Sequence, residues 1–492
     1  MKLCLIGHSF KYELEKLIRI FLPFEKIEFS DETADGDGTA VTRLERAEDK
    51  TVLSALLLIN GKSYSKSYEL LNNADDYDNE CERLLAVALY DDFVSASGYV
   101  PEWGILTGVR PAKLFSRLSG KNGEAKAENW FKNALKVSEE KISLCRSTVV
   151  SEEKITSLSR PDSFSLYISV PFCPTRCSYC SFVSHSVENA GKLIPDYISL
   201  LKKEIAYTAD VSKKLGLHLE TVYIGGGTPT SVTAEQLGGI MQCVADSFDI
   251  SGLREYTVEA GRPDTITEEK LDTIKRLGAG RISINPQTMN DYVLEKIGRR
   301  HTAADTVKAF ETARKCGFNN INTDLIAGLP GDTPESFFAT VNRMLSLNPE
   351  SITVHSLSMK RSSRLTVTGS FPEVKAGEDA GKMVSFARKT LEEHGFLPYY
   401  MYRQSKTVGN LENVGYAKPG TECLYNVYTM DETHTILACG ASAVSKLRQP
   451  EGSYIERIFN FKYPYEYISR FDELLERKKG VISFYEKYPY RD

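Results

Sequence analysis

Length, composition and charge limit what this chain can be. Its 492 residues predict about three domains of ordinary size. Hydrophobic residues make up 41% of the chain and charged residues 26%, which is typical of a globular protein with a packed core. The formal net charge is −5, so neither a strongly basic surface nor a nucleic-acid partner is indicated.

The cysteines and the apolar runs indicate where in the cell the protein is found. Ten cysteines are too few for a disulfide scaffold in a chain of this length, and most of them are scattered without a repeated spacing. The first residues, MKLCLIGHSF, do not have the pattern of a signal peptide. The longest apolar runs, VLSALLLI from Val52 and LLAVALY from Leu84, are too short to cross a bilayer. We therefore expect a cytoplasmic protein with no membrane span.

Residues 1–160 predict an α+β domain of their own, to which the sequence assigns no role. KLCLIGHSF is typical of a strand, and YELEKLIRIFLPF of an amphipathic helix. A meander of strands follows, with a hairpin turn at Asn60-Gly61, and helices are expected over 79–96 and 124–135.

A loop rich in turn residues, Pro101 to Leu114, lies between these two helices and contains Trp103 and Arg110. The two side chains either contact a ligand or the next domain or, as is more frequent, provide a buried anchor and a solvated charge.

Strands and helices alternate regularly from Ser165 to about Gly395. The predicted strands are LYISV from Leu166, TVYIGG from Thr221, YTVEA from Tyr256, RISINPQ from Arg281, INTDLIAG from Ile321 and SITVHSL from Ser351. Six βα units predict an α/β fold with a parallel sheet, and polar residues cluster at the C-terminal strand ends, where α/β barrels have their active sites. We expect a barrel over 161–395, with a doubly wound open sheet as the alternative, and a small α+β cap domain over 396–492.

Three cysteines form the most informative pattern in the chain. Cys173, Cys177 and Cys180 are spaced C-x3-C-x2-C on a short loop that follows a strand and Pro171-Phe172. One irregular turn can direct three thiolates with this spacing toward a single point. Three thiolates leave one iron of a four-iron cluster open, whereas closed structural sites take four protein ligands. The alternatives are zinc bound by these cysteines and His185, and three buried cysteines without a metal.

Glycine and polar residues follow the next strands. The GGGTPT turn, Gly225 to Thr230, follows the second strand, and its consecutive glycines let backbone groups approach a ligand closely. Glu259, Gln287 and Asp324 lie at the ends of the following three strands, and Arg299 lies just beyond the helix after the fourth. Each of these residues, taken alone, is typical of a cap or a salt bridge. A barrel, however, brings these strand ends to one cleft.

The combined motifs resemble those of a known superfamily. YISVPFCPTRCSYC, with Tyr179 beside the third cysteine, and the GGGTPT turn resemble the radical S-adenosylmethionine enzymes. Within them the chain is similar to the oxygen-independent coproporphyrinogen III oxidase family, and most like its coproporphyrinogen dehydrogenase (HemZ-type) branch. The resemblance covers about residues 163–450, and the N-terminal domain indicates the branch. It implies that the α/β region is the partial (β/α)6 barrel of that superfamily.

The resemblance also implies roles for individual residues. Cys173, Cys177 and Cys180 would ligate a 4Fe-4S cluster whose open iron binds S-adenosyl-L-methionine. The residues implied to contact that cofactor are Tyr167, Tyr179, Gly226, Gly227, Thr228, Glu259, Gln287, Arg299 and Asp324. The segment from Gly440 to Ser445 is implied to close the cleft.

The chemistry implied by the family is oxidative decarboxylation of coproporphyrinogen III to protoporphyrinogen IX, a step of haem biosynthesis. An electron from a flavodoxin- or ferredoxin-type donor cleaves S-adenosylmethionine, and the resulting 5'-deoxyadenosyl radical abstracts hydrogen from a propionate side chain. Loss of carbon dioxide and of one further electron leaves a vinyl group. The candidates for binding the anionic propionates are Arg262, Arg299, Arg300, Lys360 and Arg403. We expect the protein to act as a monomer.

Two positions keep alternative functions open. Phe182 stands where the oxidases of the family have a further cysteine, and Tyr425-Asn426 stands where the haem chaperone branch has a His-Asn pair. One alternative is a haem chaperone-like, haem-binding protein, with His355, His394 or His434 as the axial ligand. The other is a radical enzyme that acts on a different tetrapyrrole or on another substrate.

Overall fold

A computed structural model describes residues 1–180, 185–358, 372–404 and 406–490. The chain forms two compact units. The first contains Met1–Val149 and the described parts of Val367–Gly381 and Tyr402–Glu412, and the second contains the other described residues. None of the helices in these ranges has the length and apolar character that a bilayer crossing requires.

The strands are, in chain order, β1 Lys2–Ile6, β2 Glu28–Ser30, β3 Thr39–Arg46, β4 Lys50–Ile59, β5 Lys62–Leu71, β6 Ser163–Val170, β7 Phe172–Cys173, β8 His185–Ser186, β9 His218–Gly226, β10 Glu255–Gly261, β11 Arg281–Ile284, β12 Ile321–Ala327, β13 Ser351–Ser356, β14 Leu397–Arg403, β15 Glu412–Ala417, β16 Thr435–Cys439, β17 Val444–Arg448 and β18 Ile455–Phe459.

The α-helices are α1 Lys11–Phe21, α2 Tyr77–Ser97, α3 Pro111–Asn122, α4 Glu124–Asn129, α5 Glu139–Thr156, α6 Val187–Ala190, α7 Ile194–Lys214, α8 Ala234–Ser247, α9 Glu268–Arg276, α10 Asp291–Lys296, α11 Ala303–Lys315, α12 Pro334–Ser346, α13 Pro372–Glu393, α14 Leu424–Asp431, α15 Pro464–Ser469, α16 Phe471–Lys478 and α17 Gly480–Lys487.

The first unit is built on a five-stranded sheet with the order β2-β1-β3-β4-β5. Strands β3, β4 and β5 form the expected meander, and the hairpin turn at Asn60 and Gly61 has φ angles of 53° and 68°, as an Asn-Gly turn predicts. Helix α2 confirms the helix expected over 79–96. The helix expected over 124–135 is α4, which continues into a π-helical turn, Trp130–Ala134.

The Trp103 loop is a buried anchor of this unit. Trp103 is 1% exposed, and its Nε1 donates a hydrogen bond of 2.7 Å to Glu412. The same carboxylate lies 2.7 Å from the Nζ of Lys141, which is fully buried and also pairs with Glu102 at 2.9 Å. Arg403 lies over the Trp103 ring and donates to carbonyl groups of the loop. The more frequent of the two interpretations of Trp103 is therefore confirmed.

The second unit is built on a sheet in which six parallel strands follow one another in chain order, β6-β9-β10-β11-β12-β13. A helix follows each of these strands. A doubly wound sheet reverses its strand order at a switch point, whereas these six strands are ordered in one direction throughout, so the barrel-type α/β architecture is confirmed and the doubly wound alternative is wrong. The carboxyl ends of the six strands all lie at the same edge of the sheet.

The last part of the chain extends this same sheet. Strand β16 pairs in parallel with β6, and β15 pairs antiparallel with β13, so the two strands flank the six parallel strands on opposite sides. The domain boundaries expected at residues 160 and 395 stay predictions.

Candidate active site

The cysteine loop begins in direct contact with the glycine turn. The backbone N–H of Thr228 donates to the carbonyl oxygen of Phe172 at 2.8 Å, and its Oγ1 donates to the Sγ of Cys173 at 3.5 Å. A Cβ at Gly227 would lie 2.6 Å from the same carbonyl oxygen and 3.0 Å from that Sγ. Only glycine allows this approach. The two motifs singled out in the sequence therefore form one structure.

The middle of the loop is tied to residues that follow β11 and α10. The N–H of Ser178 donates to the carbonyl of Ile297 at 3.0 Å. The Nη2 of Arg299 donates to the hydroxyl of Tyr179 at 2.7 Å, and its Nη1 donates to the carbonyl of Asn285 at 3.1 Å. Burial raises the pKa of the Tyr179 hydroxyl, so it stays protonated beside the arginine. Arg299 thus links the cysteine loop to the end of β11.

Glu259 is the central carboxyl group at the end of β10. The hydroxyl of Tyr223 donates to its Oε1 at 2.6 Å, and the backbone of Gly226 also bonds to it. A Cβ at Gly225 would lie 2.9 Å from its carboxyl carbon, so a larger residue here would displace the carboxyl group from its present position. Burial, with a smaller contribution from the nearby Asp324 carboxylate, raises the pKa of Glu259 to about 7.

Asp324 has the opposite electrostatic character. Burial would raise its pKa, but hydrogen bonds and positive charge outweigh this effect and hold the pKa below its ordinary value. Asn322 donates to its Oδ1 at 2.8 Å, and the Nε2 of His355 lies 3.8 Å from its Oδ2. The site therefore contains one carboxyl group that ionises readily and one that ionises with difficulty.

Gln287 is held in an uncommon backbone conformation beside this aspartate. Its φ is 74°, in the left-handed region that most side chains avoid. Its N–H donates to the carbonyl of Asp324 at 3.0 Å, and its own carbonyl accepts from Ile326 at 3.0 Å. These two bonds to β12 keep the strained backbone in place.

Three tyrosines stack beside Glu259. The rings of Tyr223 and Tyr425 lie 4.5 Å apart between centroids, and the Tyr167 ring lies 5.9 Å from Tyr425, with interplanar angles of 23° and 12°. Tyr425 is half-buried at the start of α14. Strands β6 and β9 and helix α14, which are far apart in the sequence, thus meet at the same place.

These contacts connect Cys173 and the predicted cofactor-binding residues with their neighbours, and three more residues belong with them. Tyr223 and Asn285 were not predicted as site residues, and Arg262 was predicted to bind a substrate propionate. Tyr223 is two residues before Gly225 on β9 and so faces the same side of the strand, which is a signal that alternation provides. Asn285 and Arg262 have no comparable signal, because their contacts depend on how separate loops meet.

The arginines expected to bind propionates are placed differently from one another. Arg262 and Arg299 are bound inside the site, to Thr175 and Tyr179. Arg300 is exposed and pairs with Glu188 at 2.9 Å. Arg403 belongs to the first unit. Lys360 and Phe182 lie outside the described residues.

Comparison with known proteins identifies the family. Residues 167–344 match the model of the radical SAM superfamily. The chain is 39% identical over 396 residues to the oxygen-independent coproporphyrinogen-III oxidase-like protein HemZ of Bacillus subtilis, covering 80% of this chain and 79% of that protein. The chain belongs to this HemZ-type branch of the radical SAM proteins.

The chain is also similar to two other proteins. The heme chaperone HemW of Bacillus subtilis is 33% identical over 311 residues, covering 61% of this chain and 77% of that protein. A solved structure of the coproporphyrinogen III oxidase HemN from Escherichia coli matches with 24% sequence identity and a TM-score of 0.49, covering 65% of this chain and 71% of that one.

Radical SAM proteins bind a 4Fe-4S cluster and S-adenosylmethionine, and several buried polar atoms here fit the second of these groups. Three buried polar atoms near Tyr179 and Asp324 have no hydrogen-bond partner within the described ranges: Gln287 Oε1, Asn285 Oδ1 and Arg299 Nε. Buried polar atoms normally have partners, so these atoms suit a bound polar molecule. Among the residues that the structure describes, no three Cys, His, Asp or Glu side chains are grouped as metal ligands. The assignment of the cysteines to the cluster rests on their spacing, their contact with the glycine turn and the family.

Two of the three histidines considered as haem ligands, His394 and His434, have hydrogen-bond partners elsewhere in this HemZ-type chain. Both ring nitrogens of His434 lie 2.8 Å from serine hydroxyls, those of Ser159 and Ser165, and burial lowers its pKa to about 4. The Nδ1 of His394 lies 2.7 Å from a carbonyl oxygen of its own helix. His185 was considered as a fourth zinc ligand, and its backbone pairs with Phe172 in the β7–β8 ladder.

The segment expected to close the cleft is fixed to the sheet. The buried Glu204 accepts a hydrogen bond from the N–H of Gly440 at 2.8 Å and pairs with Lys478 at 3.0 Å. A Cβ at Gly440 would lie 2.5 Å from the carbonyl oxygen of Ser169, at the end of β6. The role of Gly440 to Ser445 in closing the cleft stays a prediction.

Proposed function

We propose that this protein catalyses the oxygen-independent oxidative decarboxylation of coproporphyrinogen III to protoporphyrinogen IX. The observation that carries the proposal is the contact between the Cys173 loop and the GGGTPT turn, with the carboxyl group of Glu259 packed against the same turn. The thiol of Cys173, backbone polar groups and the Glu259 carboxyl group therefore all lie against the same turn. A cationic amino acid-like cofactor beside a cluster needs this combination of groups.

Each group of residues has its own part in holding the cofactors. Cys173, Cys177 and Cys180 would ligate the 4Fe-4S cluster. Gly226, Gly227 and Thr228 would bind the methionine amino group, and Tyr167, Tyr179, Glu259, Gln287, Arg299 and Asp324 would hold the remainder. When bound, the cluster and S-adenosylmethionine supply a radical that abstracts hydrogen.

Glu259 would contribute the negative charge that the cofactor's amino group requires. Its raised pKa means that the free carboxylate is poorly compensated by the protein. A bound ammonium group lies in the same low-dielectric surroundings and so stabilises the ionised form strongly. The site is therefore selective for a cation, and the energy of that ion pair is available to orient the cofactor.

The tyrosine stack would exclude water from one side of the site. Tyr167, Tyr223 and Tyr425 present stacked rings, and burial raises the pKa of each hydroxyl, so all three stay neutral. A neutral aromatic wall protects reactive intermediates and suits a flat tetrapyrrole. We further propose a flavodoxin- or ferredoxin-type electron donor and a monomeric enzyme.

The haem-chaperone alternative has less support from the site. Tyr425, at the position of the His-Asn pair, lies inside the tyrosine stack, and its protonated hydroxyl is a poor axial ligand. His394 and His434 have partners in the protein. His355 lies at the end of β13 beside Asp324, and is the histidine to test.

The test is an anaerobic turnover assay with reconstituted protein, a reductant, S-adenosylmethionine and coproporphyrinogen III, followed by chromatography of the tetrapyrroles. We expect protoporphyrinogen IX, with about one 5'-deoxyadenosine formed for each decarboxylated propionate. Formation of 5'-deoxyadenosine without a change in the tetrapyrrole would support a radical enzyme with another substrate. No 5'-deoxyadenosine, together with a haem-induced Soret band that is lost in His355→Ala, would support the chaperone.

A further inference from the structure

A buried arginine connects β10 to the cysteine loop. Arg262 directly follows Gly261, the last residue of β10, and is only 3% exposed. A buried guanidinium group requires partners for its charge and its N–H groups. Its Nε and Nη2 donate to the two carboxylate oxygens of Asp264 at 2.9 and 2.6 Å, which is a bidentate ion pair.

The opposite edge of the same guanidinium group holds the cysteine loop. The Nη1 of Arg262 donates to the Oγ1 of Thr175 at 2.6 Å and lies 3.4 Å from the carbonyl oxygen of the same residue. Thr175 is the central residue of the three that separate Cys173 from Cys177. The arginine therefore binds the middle of the segment between the first two cysteines, and not a remote part of the loop.

The pair is itself fixed in place. Pro263–Thr265 forms a 3-10 turn, in which the hydroxyl of Thr265 donates to the carbonyl of Arg262 at 2.8 Å. Asp264 retains its charge, because the arginine holds its pKa below the ordinary value although burial opposes ionisation. The turn and Asp264 thus hold the guanidinium group of Arg262 in a fixed orientation toward the cysteine loop.

These contacts conflict with the expectation that Arg262 binds a substrate propionate. All three of its side-chain nitrogens already donate to Asp264 or Thr175, and the side chain is almost completely inaccessible to solvent. A propionate would have to displace a bidentate carboxylate from a buried guanidinium group, which is strongly unfavourable. The side chain of Arg262 therefore binds other residues of the protein and not the substrate.

We propose that Arg262 and Asp264 are positioning residues that set the geometry of the cysteine loop around its cluster. The inference rests on the proposed cluster, but not on the identity of the substrate. Partners in the outer shell of metal sites fix the ligands, and their loss typically lowers metal affinity or activity by about 10- to 100-fold. The role requires the planar fork of arginine, because a lysine cannot bridge Asp264 and Thr175 in this way.

The test compares Thr175→Val, Arg262→Lys and Arg262→Gln with the wild-type holoprotein, with Arg300→Gln as the control at an exposed arginine. Iron release to a chelator is followed under anaerobic conditions, and the reduced cluster is examined by electron paramagnetic resonance with and without S-adenosylmethionine. We expect the three variants to release iron about tenfold faster or more and to show altered g values. The control should behave like the wild type.

Thr175→Val preserves the arginine, the aspartate and the side-chain shape, so it should fold normally, and its melting temperature checks this. Unchanged iron release and an unchanged spectrum in Thr175→Val and Arg262→Gln would overturn the inference. The inference would also be overturned if Arg262→Lys behaved like the wild type while the other variants did not. A positive charge would then be sufficient to position the loop, without the planar geometry of the guanidinium group. If no variant, nor the wild type, binds a cluster, it is the cluster assignment that fails.

Discussion

The substitution Glu259→Gln tests the electrostatics of the site quantitatively. Gln has the same shape and can still accept the hydrogen bond from Tyr223, but it carries no charge. The pKa of Glu259 is about 7 in the folded protein, against 4.5 in a solvated chain. Folding therefore opposes ionisation. The stability of the wild type is lost progressively as the pH rises from the unfolded value through the folded one.

The size of this effect on the free energy of unfolding follows from the thermodynamic linkage between protonation and folding. The ionised carboxylate destabilises the folded protein by about 1 kcal/mol at pH 5.5 and by about 3 kcal/mol at pH 8. Glu259→Gln removes this penalty. Without S-adenosylmethionine, the variant should therefore melt several degrees above the wild type at pH 8, and the difference should shrink toward pH 5.5.

Adding S-adenosylmethionine should remove most of this difference at pH 8. A ligand at about 100 times its dissociation constant stabilises the folded state by about 2.7 kcal/mol. We expect this gain at pH 8 for the wild type, where the carboxylate meets the cofactor's ammonium group, and a much smaller gain for Glu259→Gln. The assay is a thermal shift series at four pH values with and without cofactor. A stability difference that does not change with pH, or an equal cofactor effect in both proteins, would refute the reasoning.

Three further predictions follow from single contacts. Gly227→Ala should prevent cluster assembly, measured as iron content after reconstitution, because its Cβ would lie 2.6 Å from the carbonyl oxygen of Phe172. Cys177→Ala should also lose the cluster but retain the circular dichroism spectrum of the wild type, since Cys177 lies in a loop and not in a strand of the sheet. Glu412→Gln should destabilise the first unit by about 3–5 kcal/mol in denaturant titrations, because it removes the buried carboxylate that pairs with the buried charge of Lys141, while Glu102 is partly exposed.

Much of the second unit could be predicted from the sequence. Its strands are short and rich in β-branched residues, and the helices between them have amphipathic periodicity, so each βα unit is recognisable by itself. The regular succession of six units then predicts their order in the sheet. The cysteine loop and the GGGTPT turn could be located for a similar reason, since each is a local pattern.

Contacts between distant segments could not be predicted in this way. Tyr425 lies more than two hundred residues from Tyr167 and Tyr223, and nothing in its local sequence indicates that α14 places it on their rings. Arg262 was predicted to bind the substrate because the sequence does not show that its side chain is buried. In the first unit, helix α3 begins at Pro111, inside the stretch taken for a loop, because proline is well tolerated in the first turn of a helix.

The central claim is that this protein removes hydrogen from a propionate of coproporphyrinogen III. The most direct measurement uses substrate deuterated on the propionate side chains in the anaerobic reaction, with mass spectrometry of the 5'-deoxyadenosine formed. We predict deuterium in the 5'-deoxyadenosine and a vinyl-bearing tetrapyrrole product. 5'-Deoxyadenosine that forms in the presence of this substrate but contains no deuterium would contradict the claim.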